Sequence, residues 1–120
     1  MIVGIGVDVV DLARFERAVG RTPRLRERLF AQSERDLPLR SLAARFAAKE
    51  ALMKALGSAE GLVWNDIAVV AGDGGAPTFS LSGSTERAVA DRGIDVLHLS
   101  MTHDAGIAVA YVVAEARTRS

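Results

Sequence analysis

The sequence predicts an α+β fold: an antiparallel sheet packed with helices. Two observations point to it. Strand-like segments come in hairpin-like pairs, at 67–81 and 96–114, and the helical segments are segregated from them rather than alternating with single parallel strands. A third observation, a length of 120 residues, bounds the chain to a single domain over 1–120.

Taken in order, Ile2–Val10 reads as a buried strand, with Gly4, Gly6 and Asp8 on one face and Ile5, Val7 and Val9 on the other. Asp11 suits the cap of a helix that runs to about Val19 and is ended by Gly20. Thr22-Pro23 then offers a cap and a first-turn proline for a second helix through Phe30, and Ser33-Glu34 opens a short turn before Pro38. Ser41–Leu56, rich in alanine and leucine and closed by Gly57, is the clearest helix. Ile67–Ala71 and Thr78–Leu81 read as strands joined through Gly72-Asp73-Gly74-Gly75. Ser84 caps a helix ending at Gly93, and strands Val96–Thr102 and Ile107–Ala114 flank a turn at 103–106.

Composition narrows the function classes. The chain has no cysteine, which excludes disulfides, thiolate metal sites and a cysteine nucleophile. No apolar run reaches the roughly 18–20 residues that span a bilayer, and the apolar N-terminus lacks a basic leader and carries Asp8. A cytoplasmic protein with no membrane partner is expected. The formal net charge of zero hides an asymmetry: residues 12–45 hold nine arginines and four acids, +5, balanced by −5 elsewhere. Such a segment marks either a solvated helix surface or an acidic partner. It has few aromatics for base stacking, so no nucleic-acid partner is expected.

Three groups of residues bear chemistry. On the 41–56 helix, Leu42, Phe46, Leu52, Met53 and Leu56 share one face and six alanines the opposite one, so both sides suit packing. Glu50 and Lys54 lie one turn apart on the flank between them. Exposed, they are an ordinary helical ion pair; buried, each needs a counter-charge, a metal or a wet cleft. Lys49 falls in the apolar stripe, where a stem carrying its charge out to water is the simplest account. Asp8, late in an apolar strand, is either a strand-end turn residue or, with Glu50, a source of hard oxygen ligands for magnesium, which takes one or two carboxylates beside phosphate and water. Finally, alternation sets His98, Ser100 and Thr102 on one strand face, with His103 and Asp104 at the strand end. A hydrolase triad is disfavoured because no Gly-x-Ser-x-Gly elbow is present, and no Walker A or dinucleotide fingerprint occurs.

Five ordered segments resemble the holo-acyl-carrier-protein synthase type of 4'-phosphopantetheinyl transferase over nearly the whole chain. They are Gly4-Ile5-Gly6-Val7-Asp8-Val9-Val10 with Arg14-Phe15; Arg45-Phe46-Ala47-Ala48-Lys49-Glu50-Ala51 with Lys54-Ala55 and Gly57; Trp64-Asn65-Asp66-Ile67; Gly75-Ala76-Pro77 with Leu81-Ser82-Gly83; and Leu99-Ser100-Met101-Thr102-His103. The resemblance implies transfer of phosphopantetheine from coenzyme A to a serine of an acidic apo-acyl carrier protein, releasing adenosine 3',5'-bisphosphate. It implies Asp8 and Glu50 as magnesium ligands, Lys54 beside the reacting phosphate, and His103 on a nucleotide phosphate or as general base; Asp104, a position that often differs within the pattern, is expected to support His103 here. Ser100 and Thr102 join the coenzyme site, and Gly75, Ala76 and Pro77 line the adenine pocket from a neighbouring subunit. Arg14, Arg17 and Arg21 resemble the carrier-docking surface, and the assembly implied is a homotrimer with interface active sites. The 34–45 and 57–66 stretches are shorter than is typical of that family. The alternatives from other classes are a different metal-dependent nucleotide phosphotransferase or hydrolase, and a non-catalytic module binding acidic proteins.

Overall fold

A computed structural model describes residues 1–117. Five strands and four helices follow the order β1 (Ile2–Asp11), α1 (Leu12–Arg21), α2 (Leu25–Leu29), α3 (Leu39–Leu56), β2 (Ile67–Ala71), β3 (Pro77–Leu81), α4 (Gly83–Asp91), β4 (Val96–Asp104) and β5 (Ile107–Glu115). Short 3-10 turns at Gln32–Glu34, Trp64–Asp66 and Asp73–Gly75 link them. All strand pairings are antiparallel: β5 lies between β1 and β4, and β2 pairs with β3 as a separate ribbon. The architecture is the α+β arrangement that the sequence predicts. No helix of the described residues is long and apolar enough to cross a membrane.

The centre is α3, about 27 Å long at 1.5 Å per residue. Its alanine face lies on the chain's own sheet: Ala47, Ala48 and Ala51 are fully buried, and Ala55 nearly so. Gly4 and Gly6 of β1 make this approach possible. A Cβ on Gly4 would collide with the Ala55 carbonyl, and one on Gly6 with the Ala51 carbonyl and the Ala55 amide nitrogen. The strand thus lies directly against the helix backbone, a place where only glycine fits.

This corrects the expected environment of β1. The strand is buried on one face only, the face of Gly6 and of the partly covered Gly4 and Asp8, whereas Ile5, Val7 and Val9 are 64%, 39% and 58% exposed. With Tyr111 of β5, 54% exposed, they form an apolar outer sheet surface bordered by the polar stripe His98, Ser100 and Thr102 of β4.

Several boundaries also differ from the sequence reading. Gly20 sits inside the last turn of α1, and Thr22 closes the helix through its N–H to the Ala18 carbonyl at 3.0 Å. The second helix starts at Leu25, because 22–24 form a turn whose Thr22 carbonyl accepts the Leu25 N–H. α3 begins two residues before Ser41, after Pro38, and α4 is capped at Ser82 rather than Ser84. The β4–β5 hairpin is tighter than expected: Asp104 pairs with Ile107, leaving the two-residue turn Ala105-Gly106, both at positive φ (52° and 80°). That is the turn geometry that matches strand twist, and it draws His103 into β4.

Candidate active site

Asp8 enters the site from the end of the glycine-lined face of β1, and Glu50 and Lys54 enter from adjacent turns of α3. Lys54 Nζ donates to Asp8 Oδ1 at 3.0 Å and to the Val7 carbonyl at 3.1 Å. The sequence alternative of a Glu50–Lys54 helical pair is therefore replaced by a cross-element pair with Asp8, formed because the glycines bring β1 within reach of α3. Glu50 is half-buried, and its carboxyl is raised above the usual glutamate range, first by burial and then by the negative charge of Asp8, with Lys54 acting in the opposite direction.

Asp8 and Glu50 open onto a cleft of about 630 Å³. Asp11 and Arg14 share its polar side, and Phe15, Leu25, Leu29, Phe46 and Trp64 form its apolar wall. Phe15 and Phe46 have ring centres 5.7 Å apart, and Phe46 stacks on Trp64 at 5.5 Å with planes 8° apart. Acid groups at the edge of an apolar cavity suit a ligand with a charged head and a less polar arm.

Among the described residues no cluster of three or more His, Cys, Asp or Glu could hold a metal. The chain offers instead the Asp8–Glu50 pair, close enough that one charge disfavours the other. That donor set fits magnesium, which needs only one or two protein carboxylates when phosphate and water complete its shell.

The remaining predicted residues are distributed more widely. His103 and Thr102 line a second cavity of about 210 Å³ with Ser41, Ala44, Arg45 and Met101, separate from the carboxylate cleft. Ser100 lies on the exposed outer face of β4. Asp104 does not support His103 as expected: its Oδ1 accepts the Ala105 N–H at 2.9 Å and stabilises the hairpin turn. Gly75 and Ala76 are exposed at the turn between β2 and β3, and with Pro77 they line neither cavity. Arg14, Arg17 and Arg21 form an exposed stripe on α1, opposite buried Phe15 and Val19. Not every arginine of the basic segment serves a surface. Arg26 donates to the Arg35 carbonyl at 2.8 Å, and Arg35 to the carbonyls of Phe30 and Glu27.

Two features escaped the sequence reading. Arg45 faces the cavity of His103, hydrogen-bonding the Ser41 carbonyl while its Nε stands 3.6 Å from Glu34. Its place in a matching segment gave no hint of that direction. Lys49 does not carry its charge to water: it is fully buried, its Nζ 2.7 Å from the Glu34 carboxylate. Glu34 sits in a short 3-10 turn with no periodicity, and only the fold brings the two together.

The sequence model of the 4'-phosphopantetheinyl transferase superfamily matches residues 4–112. A holo-[acyl-carrier-protein] synthase of Leifsonia xyli is 60% identical over 115 residues, covering 96% of this chain and 98% of the relative. The fold is similar to that of holo-[acyl-carrier-protein] synthase from Neisseria meningitidis, with a TM-score of 0.89 and 31% identity over 96% of this chain and 99% of that one. It is also similar to the Helicobacter pylori holo-[acyl-carrier-protein] synthase solved in complex with coenzyme A, with a TM-score of 0.80 and 36% identity over 92% and 99% of the two chains. With its glycine-seated β1, its Asp8–Glu50–Lys54 cluster and matches that run almost end to end, the chain belongs to the 4'-phosphopantetheinyl transferase superfamily, among the holo-acyl-carrier-protein synthases.

Proposed function

We propose that this chain transfers the 4'-phosphopantetheine group of coenzyme A to a serine of an apo-acyl carrier protein. The observation that carries this reading is the Asp8–Glu50 carboxylate pair lining a cleft with an apolar wall, with Lys54 held on Asp8 beside it. The serine oxygen attacks the phosphorus that bears the pantetheine. Its bond to the nucleotide phosphate breaks, and adenosine 3',5'-bisphosphate departs with the electron pair, the serine proton passing to a cleft carboxylate or to solvent. Asp8 and Glu50 would hold magnesium, which would supply positive charge to offset the negative charge of the pyrophosphate. Lys54, exposed for half its side chain and tethered through Val7 and Asp8, supplies a cation beside the reacting phosphate and stabilises charge as the leaving group forms.

The cavity of His103, Thr102 and Arg45 takes a nucleotide phosphate, since Arg45 provides a permanent cation and His103 a ring N–H. The apolar outer sheet face supports assembly of copies of this chain, and we read the assembly as a homotrimer with its active sites at subunit interfaces. In that arrangement Ser100 and the Gly75-Ala76-Pro77 turn, remote from the cleft of their own chain, serve the coenzyme site of a neighbour. The exposed Arg14, Arg17 and Arg21 stripe adjoins the cleft through Arg14 and docks the acidic carrier, so that steering and placement of the serine use one surface.

Release of adenosine 3',5'-bisphosphate, followed with and without apo-carrier, separates this reaction from its neighbours in chemistry. Transfer predicts release only when carrier, coenzyme A and magnesium are all present. Release without carrier would instead indicate a nucleotide phosphohydrolase, and carrier binding insensitive to Asp8→Asn or Glu50→Gln without any release would indicate a binding module.

A further inference from the structure

The Lys49–Glu34 pair is buried and lines neither cavity, yet it joins the pieces from which the cleft wall is made. Lys49 Nζ donates to the Leu29 carbonyl at 2.8 Å and to Glu34 Oε1 at 2.7 Å, and reaches the Trp64 carbonyl at 3.5 Å. It also lies 4.9 Å from the centre of the Phe30 ring. Glu34 accepts the Ala31 N–H at 3.0 Å and the Val69 N–H at 2.9 Å. One ammonium with three protons is thus shared between the end of α2, the 31–38 connection and the turn before β2, while its carboxylate partner holds β2. Two of the residues whose carbonyls it holds, Leu29 and Trp64, line the cleft. Trp64 is stacked on Phe46, which lies one helical turn before Glu50.

Stability alone does not account for a charged pair at this position. Burying two ions costs about as much as their attraction returns, and an apolar pair of the same volume is often at least as stable. What an apolar pair cannot do is donate to the Leu29 and Trp64 carbonyls. We propose that Lys49, charge-balanced by Glu34, is a positioning residue for phosphopantetheine transfer. It fixes the Leu29–Phe46–Trp64 wall of the cleft relative to Asp8 and Glu50, and so sets the width into which the substrates fit. The inference rests on the transferase reading but requires nothing of the metal.

The test compares Lys49→Met with the double variant Glu34→Gln/Lys49→Met, at a temperature well below both melting points and with helix content checked by circular dichroism. Trp64 is the sole tryptophan of the chain, so its emission and its quenching by acrylamide report the wall directly. Lys49→Met is expected to lower kcat/KM for coenzyme A by about tenfold or more, as displacement of positioning groups does, and to raise the quenching of Trp64. In the double variant, which also removes the Glu34 charge left with only Arg45 at 3.6 Å, the low kcat/KM and the loosened Trp64 persist whatever the melting temperature, because both carbonyls still lack their donor. Should Lys49→Met fail to fold, the double variant carries the test by itself. Wild-type kcat/KM in a folded variant, or recovery of kcat/KM in step with melting temperature, overturns the proposal. If the wild-type protein transfers nothing, the transferase reading fails instead, and Trp64 quenching still decides whether Lys49 places the wall.

Discussion

At the scale of single residues, the site is a balance of three charges. Asp8 is paired with Lys54 at 3.0 Å, and Glu50 bears both burial and the like charge of Asp8. Its pKa is raised in the folded chain, so between the ordinary glutamate range and that raised value the folded state binds more protons than the unfolded state. Stability then falls as pH rises through this window. Glu50→Gln should abolish that loss: the variant melts higher than wild type at neutral pH, and the difference shrinks on acidification, as thermal scans across pH would record. The same substitution should eliminate transfer, separating stability from activity. Lys54→Met should lower kcat by about 10²–10³, the scale for one lost electrostatic stabiliser, with a smaller effect on KM for the carrier; steady-state kinetics with each substrate varied would check the split. A rise in KM of that size with kcat unchanged would assign Lys54 to ground-state binding. Residue identities of this kind were legible in the sequence, since a carboxylate in an apolar strand and another on a helix packed on both sides are anomalies. The partner of Lys54 was not. Helical spacing pointed Lys54 at Glu50, and only the approach of β1 to α3 redirected it to Asp8.

At the scale of elements, the approach of β1 to α3 is the decisive contact, and two missing side chains permit it. Gly6→Ala would set a methyl group against the Ala51 carbonyl and the Ala55 amide nitrogen, atoms that cannot swing aside. Overpacking of this kind costs about 1–3 kcal/mol, and relief requires the strand to lift from the helix. The variant should therefore lose stability in urea and, where still folded, lose magnesium-dependent transfer out of proportion, because Asp8 moves with the strand. Transfer at the wild-type rate in a folded Gly6→Ala protein would show that the contact is not what places Asp8. The elements themselves followed from periodicity, glycines and prolines, and their errors are instructive. Gly20 read as a stop yet sits within α1, since glycine permits a helix end without enforcing one. The β4–β5 turn read as four residues, because the polar run 103–104 resembles a loop, although the Asp104 carboxylate caps a two-residue turn within the hairpin.

At the scale of the whole molecule, alternation in β1 was legible in the sequence but the destination of each face was not. Periodicity divides Gly4, Gly6 and Asp8 from Ile5, Val7 and Val9 without saying which side meets the helix, and we read the apolar residues on the open side as a surface that another copy covers. We therefore expect Ile5→Asp or Val9→Lys to dissociate the assembly, read as a fall in mass by analytical ultracentrifugation, and to lose activity at concentrations where wild type remains assembled. Activity retained in a stable monomer would place the complete site within one chain. On α1, Arg14→Glu combined with Arg21→Glu should raise KM for the carrier while leaving that for coenzyme A nearly unchanged, with a weakened dependence on salt. All these expectations depend on the transfer reaction itself, and the intact mass of an apo-acyl carrier protein incubated with this chain, coenzyme A and magnesium tests it most directly. Each carrier should gain one phosphopantetheine, and the gain should be lost on chelation of the metal and in Glu50→Gln. Carriers left at their apo mass by the wild-type protein, under conditions where an active phosphopantetheinyl transferase modifies them, would contradict it.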